Sequence, residues 1–131
     1  MESIFERMLR GEEPAIFLAQ DEEHAAILEP CPAAPGHAVV FPKRRTDALL
    51  DMTPEALARL MFFAQKVGRA LKQAVSCDKV AVISYGLKVR HVHLHLIPAN
   101  GTPGEISLDK PRSAVAFADL EASAQNIRSL L

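Results

Sequence analysis

The sequence predicts an α+β fold: a mainly antiparallel five-stranded sheet with one long central helix and a C-terminal helix. Three observations lead there. Short apolar runs follow one another in series instead of alternating strictly with helices. A helix start at Thr53, Pro54 and Glu55 opens a long amphipathic stretch. Residues 91–98 alternate histidine with apolar side chains at period two.

Taking the elements in order, Ile4 to Arg10 suit one or two helical turns, ended by Gly11 and Pro14. Ala15 to Gln20 and Ala25 to Glu29 are β-compatible runs about the charged turn Asp21, Glu22, Glu23, and together they predict a hairpin. Pro30, Pro32, Pro35 and Gly36 then impose a rigid loop, and His37 to Phe41, closed by Pro42, is a third strand. Thr53 supplies an N-cap, Pro54 the first helical position and Glu55 an acidic first turn.

That helix is expected to run to about Val75. Leu57, Leu60, Met61, Ala64, Val67, Gly68, Leu71 and Val75 form its apolar stripe, with Arg59, Lys66, Arg69 and Gln73 opposite. Phe62 falls on the polar side, where it reads as a lone exposed aromatic or part of a partner interface. Asp78 to Tyr85 give a fourth strand, Gly86 to Arg90 a turn, and the histidine run a fifth strand stopped by Pro98. Phe117, Leu120, Ala124, Ile127 and Leu131 recur at helical spacing and predict the closing helix.

A chain of 131 residues suits one domain spanning 1–131, with a core that needs no metal or disulfide. With 15 basic and 16 acidic residues and a net charge of −1, no global field favours nucleic acid or an anionic membrane, so any phosphate binding must be local. Cys31 and Cys77 form no C-x-x-C pair and suit a reducing compartment. Met1 to Arg10 lack the apolar core of a signal peptide, and no stretch approaches the roughly 18–20 apolar residues of a membrane span. The expectation is a soluble, cytoplasmic protein.

On a strand, His91, His93 and His95 would share one face, with about 6.6 Å between neighbours at roughly 3.3 Å per residue, while Val92, Leu94 and Leu96 pack inward. No packing need calls for three imidazoles in a row. Histidine titrates near neutrality and can act as nucleophile, base or phosphate donor. Three histidines and a water could also hold a catalytic zinc, giving a His-metal enzyme of unrelated fold. Against that, no carboxylate or cysteine lies inside the run, and the neighbouring Lys88 and Arg90 favour an anion. Ser84 and Ser107 stand in no G-x-S-x-G context. Phosphoryl or nucleotidyl chemistry on imidazoles remains.

These residues resemble the histidine triad (HIT) superfamily of nucleotide hydrolases and transferases, whose pattern His-φ-His-φ-His-φ-φ, with φ apolar, is met at every position from His91 to Ile97. Upstream, Ile4 and Phe5, then Arg10, Gly11, Glu12, Pro14 and Ala15, are similar to the family's amino-terminal segment. Pro32, Ala34, Pro35, Gly36, His37, Val39, Val40, Pro42 and Lys43 are similar to its next one. Gly86 to Arg90 look like the stretch before the triad in a compact bacterial group. The resemblance covers nearly the whole chain and implies a HIT-like fold.

It further implies a nucleotide hydrolase that cleaves an α-phosphate bond of a purine nucleotide derivative through a nucleotidyl-histidine intermediate on His93. By the same carry-over, His95 contacts phosphate oxygens and helps the departing group. His91 orients the nucleophile, and His37 is a fourth histidine facing the same centre. Glu29 stands where the family usually has an aspartate for the ribose hydroxyls. Phe5, Met8 and Ile27 match the base pocket, Gly86 allows close approach of backbone to phosphate, and Val89 and Lys88 complete the substrate-binding set. Lys88 replaces an uncharged hydroxyl position. His24 lies outside every motif and reads as a surface residue.

Positions of a structural zinc found in some members are Ser3, Glu6 and Arg45 here, so no zinc is expected. No cofactor is required, and Mg²⁺ would enter only with polyphosphate substrates. The family usually forms a two-fold homodimer that joins two sheets. A nucleotidyl transferase or phosphorylase would share the fold, differing in whether water or phosphate resolves the intermediate. A nucleotide-binding module with little turnover is the remaining alternative, and the intact triad weighs against it.

Overall fold

The computed structural model describes residues 2–110 and 112–131; Met1, the first residue of the segment read above for a leader, and Pro111 lie outside the described residues. The chain runs α1 (Ile4–Leu9), β1 (Phe17–Gln20), β2 (His24–Leu28), β3 (Ala38–Pro42), a 3₁₀ turn (Leu49–Asp51), α2 (Pro54–Ala74), β4 (Lys79–Ile83), β5 (Leu94–Ala99) and α3 (Phe117–Arg128). All strand pairs are antiparallel, in the order β1-β2-β3-β5-β4. The α+β architecture expected from the sequence is therefore the one found.

Local chemistry sets the helix starts. Ser3 caps α1 in a capping box, its hydroxyl accepting from the Glu6 N–H while the Glu6 carboxylate accepts from the Ser3 N–H. Thr53 caps α2 through the Ala56 N–H, with Pro54 at the first position.

The sheet is covered on both sides, which is why β2 and β3 are buried along their whole length. On one face, Ala26, Leu28, Ala38, Val40, Leu94 and Leu96 pack against α2 and α3 through Leu60, Phe63, Val67, Leu71, Leu120 and Ile127. Each such large side chain contributes about 1.5–3 kcal/mol by leaving water. On the other face, Ala25, Ile27, Val39 and Phe41 pack against Phe5 and Met8 of α1. Arg128 ties α3 to edge strand β1 by donating to the Phe17 carbonyl from both Nε and Nη2, at 2.8 and 2.6 Å.

Four expectations need correction. The fifth strand begins at Leu94, not at His91, because its ladder with β3 ends at Val40↔Leu94, two residues before Pro42, which has no N–H to give. The Val92 N–H instead donates to the Thr46 carbonyl at 2.8 Å. The inward stripe of α2 includes Phe63 and Ala70, whereas Met61 is 41% exposed: the helix lies slightly rotated from the stripe read off the sequence. In α3, Leu120, Ala124 and Ile127 are buried, but Phe117 and Leu131 at its ends are not. His24 is not a surface residue. It is buried against Phe63 and its Nδ1 lies 3.0 Å from the Asp21 carboxylate, closing the β1–β2 turn.

Candidate active site

Side-chain alternation divides the histidine segment between the two faces of the sheet. Val92, Leu94 and Leu96 join the core under α2, and the three imidazoles turn toward α1. They share that face as the period predicts, and His93 and His95 line a cavity there while His91 does not. His91 is fully buried, edge-on to Phe5 and Phe41. His93 is nearly buried, and His95 is half-buried.

Backbone carbonyls determine the tautomers of His91 and His93, and a backbone N–H determines that of His37 and, through it, that of His95. His91 Nε2–H donates to the Pro42 carbonyl at 2.7 Å, so its Nδ1 accepts, and the Ser3 hydroxyl donates to it at 2.6 Å. His93 Nδ1 lies 2.7 Å from the His91 carbonyl oxygen and must carry the proton, which leaves the Nε2 lone pair free. His37 Nδ1 accepts from the Ala33 N–H at 2.9 Å, so its Nε2–H donates to His95 Nδ1 at 2.9 Å. The remaining proton of His95 is then on Nε2. One ring thus offers a lone pair, and the adjacent ring, 5.0 Å away between centroids, offers an N–H.

The same burial keeps all four rings neutral. Desolvation pushes His37 down to about 3 and His95 down to about 4, aided for His37 by the charge of His95 and for His95 by that of His93, and for both by Arg112. Burial also lowers His91 and His93 from the ordinary value, and the carbonyl each ring donates to opposes the shift only in part. A neutral ring is the form in which an imidazole can be a nucleophile.

His37 reaches the cluster because Gly36 turns the chain at φ +85°, a left-handed conformation that side chains disfavour, and a Cβ there would stand 2.7 Å from Val75. Strand register does the rest, setting Ile27 opposite Val39 and Val39 opposite His95 on the α1 face. In front of this row is a cavity of about 330 Å³, within the usual range for small-molecule sites.

All seven residues read as substrate-binding line that cavity: Phe5, Met8, Ile27, Glu29, Gly86, Lys88 and Val89. His93 and His95 line it as well, while His91 and His37 stand behind them. Phe5, Met8 and Ile27 are also core residues, with Phe5 stacked on Phe41 at 4.4 Å. Gly86 has φ +73°, which requires glycine by itself, whereas the nearest atom to a Cβ there is 4.0 Å away. Burial raises the Glu29 carboxyl, and the Cys31 N–H and the Arg112 charge pull it back. The larger concavity, about 750 Å³ between α2 and β4, contains no histidine.

Sequence reasoning missed Arg112, Tyr85, Leu108 and Cys31, all of which line the histidine cavity. Arg112 and Leu108 belong to an irregular segment with no periodicity to mark them. Tyr85 was taken only as the end of a strand, and Cys31 only as one of two unpaired thiols.

The positions associated with zinc do not fit that ion. Ser3 is already bonded to His91, Glu6 is tied to the Ser3 N–H, and Arg45, which donates to the Arg90 carbonyl at 2.9 Å, brings a cation where a ligand would be needed. Among the described residues, no group of three His, Cys, Asp or Glu side chains is arranged to hold a metal ion, and no helix is long and apolar enough to cross a membrane.

The HIT domain family model matches residues 10–102. An uncharacterized HIT-like protein of Mycobacterium tuberculosis is 35% identical over 100% of this chain and 94% of its own length. In Schizosaccharomyces pombe, an asymmetrical bis(5'-nucleosyl)-tetraphosphatase is 29% identical over 81% of this chain and 58% of its own. An adenosine 5'-monophosphoramidase of the same yeast is 24% identical over 98% of each. Among solved structures, a HIT-like protein of Bartonella henselae superposes with a TM-score of 0.85 at 29% identity, covering 99% of this chain and 96% of that one.

Proposed function

Because this chain belongs to the HIT family, whose members include nucleotide hydrolases, we propose that it hydrolyses a nucleotide derivative at its α-phosphate, with His93 as the nucleophile. The observation that carries this reading is the 2.7 Å contact between His93 Nδ1 and the His91 carbonyl, which leaves Nε2 unprotonated beside the cavity.

In the first step Nε2 attacks the α-phosphorus. The new N–P bond forms as the bond to the leaving group breaks, and the leaving group departs with that electron pair. The Nε2–H of His95 stabilises charge on the phosphate and on the departing atom. Water then attacks phosphorus and gives up a proton to solvent, from which the departed group takes one; the N–P bond breaks, its electrons return to His93 Nε2, and a mononucleotide is released. Phe5, Met8 and Ile27 receive the base, for which the relative named as an adenosine 5'-monophosphoramidase supports a purine, and Glu29 accepts from the ribose hydroxyls. No metal or cofactor enters these steps, although Mg²⁺ would accompany a polyphosphate substrate.

The reading is tested with adenosine and guanosine phosphoramidates, dinucleoside polyphosphates and sulfate anhydrides, scored for mononucleotide release. His93→Ala is expected to lose turnover and retain mononucleotide binding. Near-normal activity in that variant, or no release from any substrate by the wild type, overturns the reading.

We also propose a two-fold homodimer through α2 and β4. Edge strand β4 exposes Val82, and the neighbouring helix exposes Phe62 (68%) and Met61 beside the 750 Å³ groove. Pairing of two β4 edges would join two sheets.

A further inference from the structure

Among the described residues of the segment between β5 and α3, 100–110 and 112–116, none belongs to a helix or strand, and long connections of that kind usually serve function. It is held at both ends. At one end the Asp78 N–H donates to Asn100 Oδ1 at 2.9 Å, and at the other the Val115 N–H donates to the Pro30 carbonyl at 2.9 Å, next to Glu29. Between these anchors it crosses the histidine cavity, which Leu108 and Arg112 help to line.

Arg112 is half-buried there, with Nη1 3.4 Å from His37 Nδ1. That nitrogen already accepts from the Ala33 N–H, so it offers the guanidinium little. Arg7, Arg10, Arg59, Arg90 and Arg128 each reach a carboxylate, but among the described residues none lies within 4.0 Å of Arg112. Glu29 lines the same cavity and feels the Arg112 charge, but from beyond 4.0 Å, and a half-buried cation is costly to hold without an anion paired to it. The guanidinium fork matches two oxygens of a phosphate. Lys88 and His95, whose free proton is on Nε2, line the same cavity, so donors from three segments of the chain border one space.

We propose that Arg112 is a substrate-binding residue that takes the phosphate group of the ligand by bidentate hydrogen bonding, from the strap that helps to line the cavity. This rests on the phosphate chemistry proposed for the same cavity. It gives the strap a function, which is to bring a guanidinium to a pocket also lined by the sheet, α1 and the loop residues Gly86, Lys88 and Val89.

Isothermal titration of wild type, Arg112→Gln and Arg112→Lys with inorganic phosphate, AMP and adenosine tests it. Arg112→Gln should weaken phosphate and AMP by about 10- to 100-fold and leave adenosine within about twofold, with Arg112→Lys intermediate. Undiminished phosphate and AMP affinity in Arg112→Gln overturns the proposal. So does an equal loss for adenosine, which would mean that the strap merely shapes the pocket. Should wild type bind phosphate but neither nucleoside nor nucleotide, and Arg112→Gln lose the phosphate, Arg112 stands and the nucleotide reading falls. Binding of none of the three probes by wild type overturns both.

Discussion

The carbonyl oxygen of His91 lies 2.7 Å from Nδ1 of His93, so the first histidine of the segment acts on the second through its backbone and not through its ring. The His91 ring anchors that carbonyl from behind, held by the Ser3 hydroxyl and the Pro42 carbonyl.

Ser3→Ala removes both an N-cap and the hydroxyl that donates to the buried His91 Nδ1. A loss of about 2 kcal/mol of stability is expected, with kcat falling more than KM as the His93 ring loses its fixed orientation. Urea denaturation and steady-state kinetics check it; unchanged stability would mean that Pro42 alone holds His91.

Acid should weaken the fold earlier than carboxylates alone would allow. The four cluster histidines have folded values below the ordinary value of about 6.5, so below that pH the unfolded chain takes up protons that the folded one refuses. Their stabilisation is complete above pH 6.5 and is lost as pH falls toward the values near 4 and 3 of His95 and His37. The melting temperature should drop between pH 6.5 and 4.5, before the lowered Glu6 and Glu121 carboxylates titrate. A flat profile over that interval counts against a neutral cluster.

Lys88 is exposed on the wall of the cavity and carries a mobile point charge. Lys88→Ser should lower kcat/KM for a dinucleoside polyphosphate by about 3- to 10-fold at low salt, and less for a phosphoramidate with a neutral leaving group. Equal effects on the two substrates reject a leaving-group role.

Phe62→Glu adds a charge at a side chain 68% exposed beside edge strand β4. At a two-fold interface one substitution acts twice, so the dimer should weaken while helical content is kept. Sedimentation velocity over a range of concentrations decides this: a monomeric wild type rejects the dimer, and an unchanged mutant dimer moves its interface elsewhere.

Local pattern alone carried the five strands, the capped start of α2, the period-two histidines and the resemblance that brought Glu29, Phe5, Met8, Ile27, Gly86, Lys88 and Val89 to one pocket. These are properties of neighbours in sequence, encoded by period, cap and turn residues. What tertiary structure decided were relations between distant segments. Pro42 shortens β5 and takes the His91 proton, the Ala33 N–H orients His37 and through it His95, and the strap brings Arg112 to the histidines across 75 residues from His37. Nothing in a residue's own neighbourhood announces such a partner. His24 and Phe63 show the same thing in the core, because a side chain's exposure depends on which surface the sheet presents to it, and that surface is assembled from strands far apart in the chain.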